Sequence, residues 1–130
     1  MIVGVGCDVV DIRRIEKIWN RYKYVFVERY FIGEEVQRAH SMRAPSVPAF
    51  LASRFAAKEA FVKAIGSGFS NGIVPKNIEV CSHKTGEPYL RLHGAALRLL
   101  QVKNAKTYVT ISHEKEYAMS FVVLDLFVEK

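Results

Sequence analysis

Apolar positions change their spacing several times along the chain, and each change marks an element. Residues 2 to 10 form a short apolar run in which Gly4 and Gly6 leave one surface nearly bare of side chains, which predicts a strand. Asp8 falls near its end, where a carboxylate has no apolar role. Asp11 is placed to cap a helix whose Ile12, Ile15, Ile18, Trp19 and Tyr22 share one face. The opposite face is basic, with Arg13, Arg14, Lys17, Arg21 and Lys23. A short helix is expected over residues 33 to 40, and Ala44 to Pro48, with two prolines, reads as a loop. The strongest helical pattern runs from Pro48 to Gly66. Residues 73 to 82 and Tyr89 to Leu92, joined by a turn at Lys84-Thr85-Gly86-Glu87, predict a hairpin. A helix from about Gly94 to Lys103 follows. Strands at Thr107 to Ser112 and Tyr117 to Val128 then flank a polar turn, His113 to Glu116. With no repeat, linker or composition break, the chain reads as one α+β domain spanning residues 1–130, with antiparallel hairpins and two principal helices.

The 130 residues are half hydrophobic and a quarter charged, enough for a core without disulfides or a structural metal. That composition excludes collagenous, low-complexity and disordered classes. Nineteen Lys and Arg against 13 Asp and Glu, a net charge of +6, favour anionic partners: nucleic acid, an acidic protein, a phosphorylated small molecule or a membrane surface. No nucleic-acid reader motif accompanies the basic helix, and no apolar stretch reaches the ~18 residues of a membrane span. The N-terminus lacks the basic and apolar regions of a signal peptide, so a soluble cytoplasmic protein is expected. Cys7 and Cys81, in apolar contexts without metal-ligand spacing, are expected to be reduced and buried.

The central helix carries the candidate chemistry. On a wheel of about 100° per residue, Leu51, Phe55, Phe61, Val62 and Ile65 form a large apolar arc. Ala52, Ser53, Ala56, Ala57, Ala60 and Ala64 form an arc of small residues that invites close backbone approach. Lys58 projects from the apolar face and is expected to snorkel its ammonium outward. Glu59 and Lys63, about 40° apart, read either as an i, i+4 ion pair or as functional groups, and Gly66-Ser67-Gly68 directly after them offers backbone that a ligand can approach. Two carboxylates, Asp8 and Glu59, would suit Mg²⁺, a hard ion that takes one or two protein oxygens and fills its shell with water and phosphate. His113 sits at a turn, while His40, His83 and His93 have no ligand spacing. The Gly-rich GVGCDV lacks the third glycine and the following helix of a dinucleotide loop, and there is no nucleophile elbow or Walker loop.

Three blocks, GVGCDVVDIRRIE at 4–16, SRFAAKEAFVKAIGSG at 53–68 and TISHEKEYAMSFVV at 110–123, resemble in order and separation the signatures of the bacterial holo-acyl-carrier-protein synthase family of 4′-phosphopantetheinyl transferases. The resemblance implies an antiparallel sheet packed on a long central helix. It also implies transfer of 4′-phosphopantetheine from coenzyme A to a serine of apo acyl carrier protein, releasing adenosine 3′,5′-bisphosphate, in fatty acid biosynthesis. Asp8 and Glu59 match the residues that hold Mg²⁺ on the coenzyme A pyrophosphate, and Lys63 the lysine on its phosphates. Arg54 and His113 are similar to ligands of the adenosine 3′-phosphate or base, and Gly66, Gly86 and Pro88 to positions lining the nucleotide. Glu59, through a metal-bound water, is the expected base for the serine, with Asp8 the alternative. Arg14 and Arg21 match the family's carrier-docking positions, with Arg13 and Lys17 on the same basic face. Tyr22, Tyr24 and Phe26 stand where relatives are often more basic. The resemblance further implies a homotrimer with active sites between subunits.

Overall fold

The computed structural model describes residues 1–128. Its elements are β1 (Ile2–Asp11), α1 (Ile12–Tyr22), α2 (Tyr24–Tyr30), α3 (Glu34–Ser41), α4 (Val47–Ile65), β2 (Ile78–Ser82), β3 (Pro88–Leu92), α5 (Gly94–Lys103), β4 (Ala105–His113) and β5 (Tyr117–Leu126). The strands make an antiparallel sheet in the order β1-β5-β4 and a separate antiparallel hairpin, β2-β3.

Helix α4 is the axis of the molecule. Fourteen of its 19 residues are buried, so it is covered on nearly every side rather than along one stripe. Sheet β1-β5-β4 lies against it on one side, while α1, α3 and hairpin β2-β3 pack elsewhere around it. The contact with β1 depends on the two glycines: a Cβ on Gly4 would overlap the carbonyl oxygen of Ala64, and one on Gly6 that of Ala60. Two residues of strand rise ~6.6 Å and four residues of helix ~6 Å, so the alternation of β1 and the i, i+4 small-residue stripe of α4 run in step. Carrying that match one step further sets Asp8 beside the middle of α4, on the same strand face as Gly4 and Gly6.

Several boundaries differ from the sequence expectation. Helix α2 has no counterpart in that expectation; it buries Phe26 and Val27 against the core formed by Ile15, Trp19 and Leu51, so its apolar residues are explained by packing. The expected strand over 73–82 is only Ile78–Ser82, because Pro75 lacks an N–H and opens a 3₁₀ turn at Pro75–Asn77. Ala44–Ser46 is also a 3₁₀ turn, and α4 starts at Val47 with Pro48 in its first turn, where a missing N–H costs nothing. Strand β4 starts two residues earlier than expected and β5 ends at Leu126. The Asp11 cap is as expected: its Oδ1 accepts from Arg13 N at 2.9 Å. Cys81 is buried, but Cys7 is exposed on the sheet face turned away from α4.

Lys58 is the largest departure. Its ammonium is fully enclosed instead of reaching water, and donates to Glu35 Oε1 at 2.9 Å, to Pro75 O at 3.0 Å and to Ile78 O. Glu35, equally buried, also accepts from Ile32 N and Val80 N. This network ties α3, α4 and the start of β2 together, which a wheel drawn on α4 alone could not show.

Candidate active site

Asp8 reaches the site because β1 has no side chains to hold α4 away, and Lys63 reaches it from the last turn of that helix. Lys63 Nζ donates to Asp8 Oδ1 at 2.9 Å and to Cys7 O at 3.1 Å. Lys63 therefore pairs across the strand–helix junction with Asp8 and not with Glu59, so of the two readings of Glu59 and Lys63 the i, i+4 ion pair is not formed. Asp8 holds the Lys63 ammonium above its ordinary pKa, first through this hydrogen bond. Glu59 is half-buried, and burial followed by the like charge of Asp8 pushes its carboxyl up, against a smaller opposing effect of Lys63. Two carboxylates and one ammonium thus share a partly open site whose acidic groups repel each other. Gly66 closes α4 there in the left-handed conformation, φ 81°, and is exposed one turn beyond Lys63.

This donor set fits Mg²⁺. The ion accepts one or two carboxylates and keeps the rest of its shell for water and phosphate oxygens. Among the described residues there is no group of three or more His, Cys, Asp or Glu of the kind a closed, all-protein site would need.

A second group forms on another side of α4. Arg54 lies five residues before Glu59, about 7 Å along the axis and about 140° around it. Its guanidinium stands over the Phe50 ring at 4.3 Å and donates to Ser53 Oγ at 3.0 Å and to Ser82 Oγ at 3.5 Å. Burial, followed by the nearby charge of Arg38, pushes its pKa down to about 10. Ser82 ends β2 directly opposite Pro88, and the intervening turn carries Gly86 at φ 93° with open space around it. Arg54, Gly86 and Pro88 are thus gathered at one end of the hairpin, apart from Asp8 and Glu59. His113, exposed at the end of β4, lies two strands from β1, about 10 Å across the sheet. One chain does not bring it to the carboxylates.

Arg38 carries no signal in the sequence. Its α3 position is ordinary for a surface arginine near a helix C-terminus, and only the packing of α3 on β2 brings it to Ser82. On α1, Arg13 is tied to Asp11 at 2.9 Å and lies 3.7 Å from Glu116, whereas Arg14, Lys17 and Arg21 are in no ion pair among the described residues. Arg14 borders a cavity of about 480 Å³ lined by Ile15, Ile18, Val25, Phe26 and Phe55.

The chain is similar to known proteins over nearly its whole length. Residues 4–122 match the model of the 4′-phosphopantetheinyl transferase superfamily. The chain is 45% identical over 126 residues to the holo-[acyl-carrier-protein] synthase of Nitratidesulfovibrio vulgaris, covering 96% of this chain and 99% of the relative. It is similar to the crystal structure of a holo-(acyl-carrier-protein) synthase from Bacillus anthracis in complex with CoA (3′,5′-ADP), at 34% identity and a TM-score of 0.82, covering 98% and 99% of the two chains. The Neisseria meningitidis holo-[acyl-carrier-protein] synthase structure matches at 31% identity and a TM-score of 0.85, covering 96% and 99%. A family model matching residues 4–122 and a relative 45% identical over 96% of the chain show that the chain belongs to the 4′-phosphopantetheinyl transferase superfamily.

Proposed function

We propose that the protein transfers 4′-phosphopantetheine from coenzyme A to a serine of apo acyl carrier protein, releasing adenosine 3′,5′-bisphosphate, in the cytoplasm as part of fatty acid biosynthesis. The observation that carries this reading is the Asp8, Glu59 and Lys63 constellation at the junction of β1 and α4, in a chain similar over nearly its whole length to holo-acyl-carrier-protein synthases. Asp8 and Glu59 would hold Mg²⁺, which when bound neutralises charge on the pyrophosphate and on the leaving bisphosphate. Lys63 contributes a fixed positive charge to the phosphates from 2.9 Å beside Asp8. Glu59, whose carboxyl is made more basic by its surroundings, takes the proton of the carrier serine. Arg54, Gly86, Pro88 and His113 take the adenosine end.

The carrier docks on α1. Arg14, Lys17 and Arg21 face an acidic protein, and the apolar cavity beside Arg14 takes one of its apolar side chains. Arg13, held by Asp11 and Glu116, contributes least.

The working form is a homotrimer with sites between subunits. The sheet face turned away from α4 exposes Val3, Val5, Val9, Met119 and Phe121, a contiguous apolar surface that another copy would cover. A neighbouring copy also supplies groups, such as His113, that one chain holds away from its own carboxylates.

Incubation with apo acyl carrier protein, coenzyme A and Mg²⁺, followed by mass spectrometry of the carrier, tests the activity. The carrier should gain one phosphopantetheine group and gain nothing when Mg²⁺ is chelated. An unmodified carrier at every metal concentration would refute the reading, and light scattering of the same sample reports the trimer.

A further inference from the structure

Two arginines from different helices meet at one serine. Arg38 donates from α3 to Ser82 Oγ at 3.1 Å, and Arg54 from α4 to the same oxygen at 3.5 Å. Both guanidiniums also stand over the Phe50 ring, at 4.9 and 4.3 Å. Like charges brought together in partly buried surroundings repel, yet neither is in an ion pair among the described residues. The nearby carboxylates are otherwise engaged: Glu34 Oε2 accepts from Ser82 N at 3.1 Å, and Glu35 is paired with Lys58 at 2.9 Å. Arg54 Nε is buried without a hydrogen-bond partner. Accepting from both arginines fills the two lone pairs of Ser82 Oγ, so its own O–H is left to donate. Two forks and one hydroxyl proton, with neither guanidinium in a direct ion pair among the described residues, describe a receptor for a dianion with several acceptor oxygens, which is what a phosphate monoester presents.

We propose that Arg38 is a specificity-determining residue that completes, with Arg54 and Ser82, a cradle for the 3′-phosphate monoester of coenzyme A. This rests on the transfer reading above, in which Arg54 and the Gly86–Pro88 turn already face the adenosine end, and it adds a residue from α3. The 3′-phosphate is the only monoester in coenzyme A. The pyrophosphate oxygens, with less charge per phosphorus, belong to the Asp8 and Glu59 side.

The test compares coenzyme A with 3′-dephospho-coenzyme A as donors for the wild-type protein and for Arg38→Met. Wild type should prefer coenzyme A through KM. Arg38→Met should raise KM for coenzyme A about tenfold and reduce the preference by a similar factor, the scale of a single charge-assisted hydrogen bond. Arg98→Met, which removes an exposed arginine of α5, controls for net charge and should leave the preference as in wild type. If Arg38→Met does not fold, Arg38→Lys keeps the charge without the fork and should still reduce the preference. Calorimetric binding of adenosine 3′,5′-bisphosphate against adenosine 5′-phosphate gives the same comparison without turnover. Transfer with an unchanged preference in the Arg38 variant overturns the assignment of Arg38 alone. A wild-type protein that transfers nothing from coenzyme A overturns the reading beneath it.

Discussion

Lys58 and Glu59 are neighbours on α4, both charged, and a 100° step around the helix puts them in opposite situations. Lys58 is enclosed, and each of its three N–H groups has an acceptor in Glu35, Pro75 or Ile78. Glu59 is half-buried beside a second carboxylate, with its basicity raised first by burial and then by that neighbour. One charge is fully answered by the protein and works to hold α3 and β2 on the central helix. The other is left with an excess of like charge that only a ligand can answer, which marks a site.

The sharpest break between the two comes from removing each carboxylate of the open pair. Glu59→Ala should lower transferase activity by about 10²–10³ or more while the thermal midpoint stays level or rises, because it relieves repulsion with Asp8; Asp8→Ala should cost as much activity but also loses the 2.9 Å pair with Lys63. A large fall in the midpoint would mean that Glu59 is as structural as its neighbour. Lys58→Ala should do the reverse, costing about 3–5 kcal/mol in urea unfolding by stranding Glu35 inside the core. Replacing both members, Lys58→Met with Glu35→Leu, should recover most of that loss, since an apolar pair needs no partners. Gly6→Ala forces a methyl onto the Ala60 carbonyl and should cost about 1–3 kcal/mol, together with activity, because it moves Asp8 away from α4. Smaller effects lie on the surface. Arg21→Ala should raise KM for the carrier several-fold in a salt-dependent way, and Arg13→Ala, whose partners are Asp11 and Glu116, by less. Alkylation separates the cysteines: Cys81, buried with its thiol pushed up to about 12, should not react in the folded protein. Cys7 is exposed in the single chain, so the proposed trimer predicts that it reacts only when subunits separate, and rapid labelling of the native protein would argue against a covered sheet face.

Much of the fold was legible because it is governed by local chemistry. The Asp11 cap, the left-handed close of α4 at Gly66 and the Gly94–Lys103 helix follow from residues within a turn of each boundary. Helix α2 was not legible, because seven residues with mixed aromatic and charged character have no clear period, and its stability comes from burying Phe26 and Val27. Asp8 and Glu59 stood out as carboxylates in apolar settings, and a family resemblance joined them across 51 positions. Their actual closeness follows from Gly4 and Gly6 against Ala64 and Ala60, which a reader of the sequence sees only as two small-residue patterns.

By itself the sequence determined the identities that chemistry requires: two acidic groups, a lysine one turn beyond the second, a basic first helix, and a strand and helix bare enough to touch. Tertiary structure alone decided the pairings. Lys63 chose Asp8 over Glu59, Lys58 turned inward to Glu35, and Arg38 came to Ser82 beside Arg54. Helical spacing fixes only which residues are near one another along α4. Ion pairs form with whatever group the packed sheet and hairpin bring to that face, and the cost of an unanswered buried charge explains why Lys58, the fully enclosed one, finds its partner in Glu35.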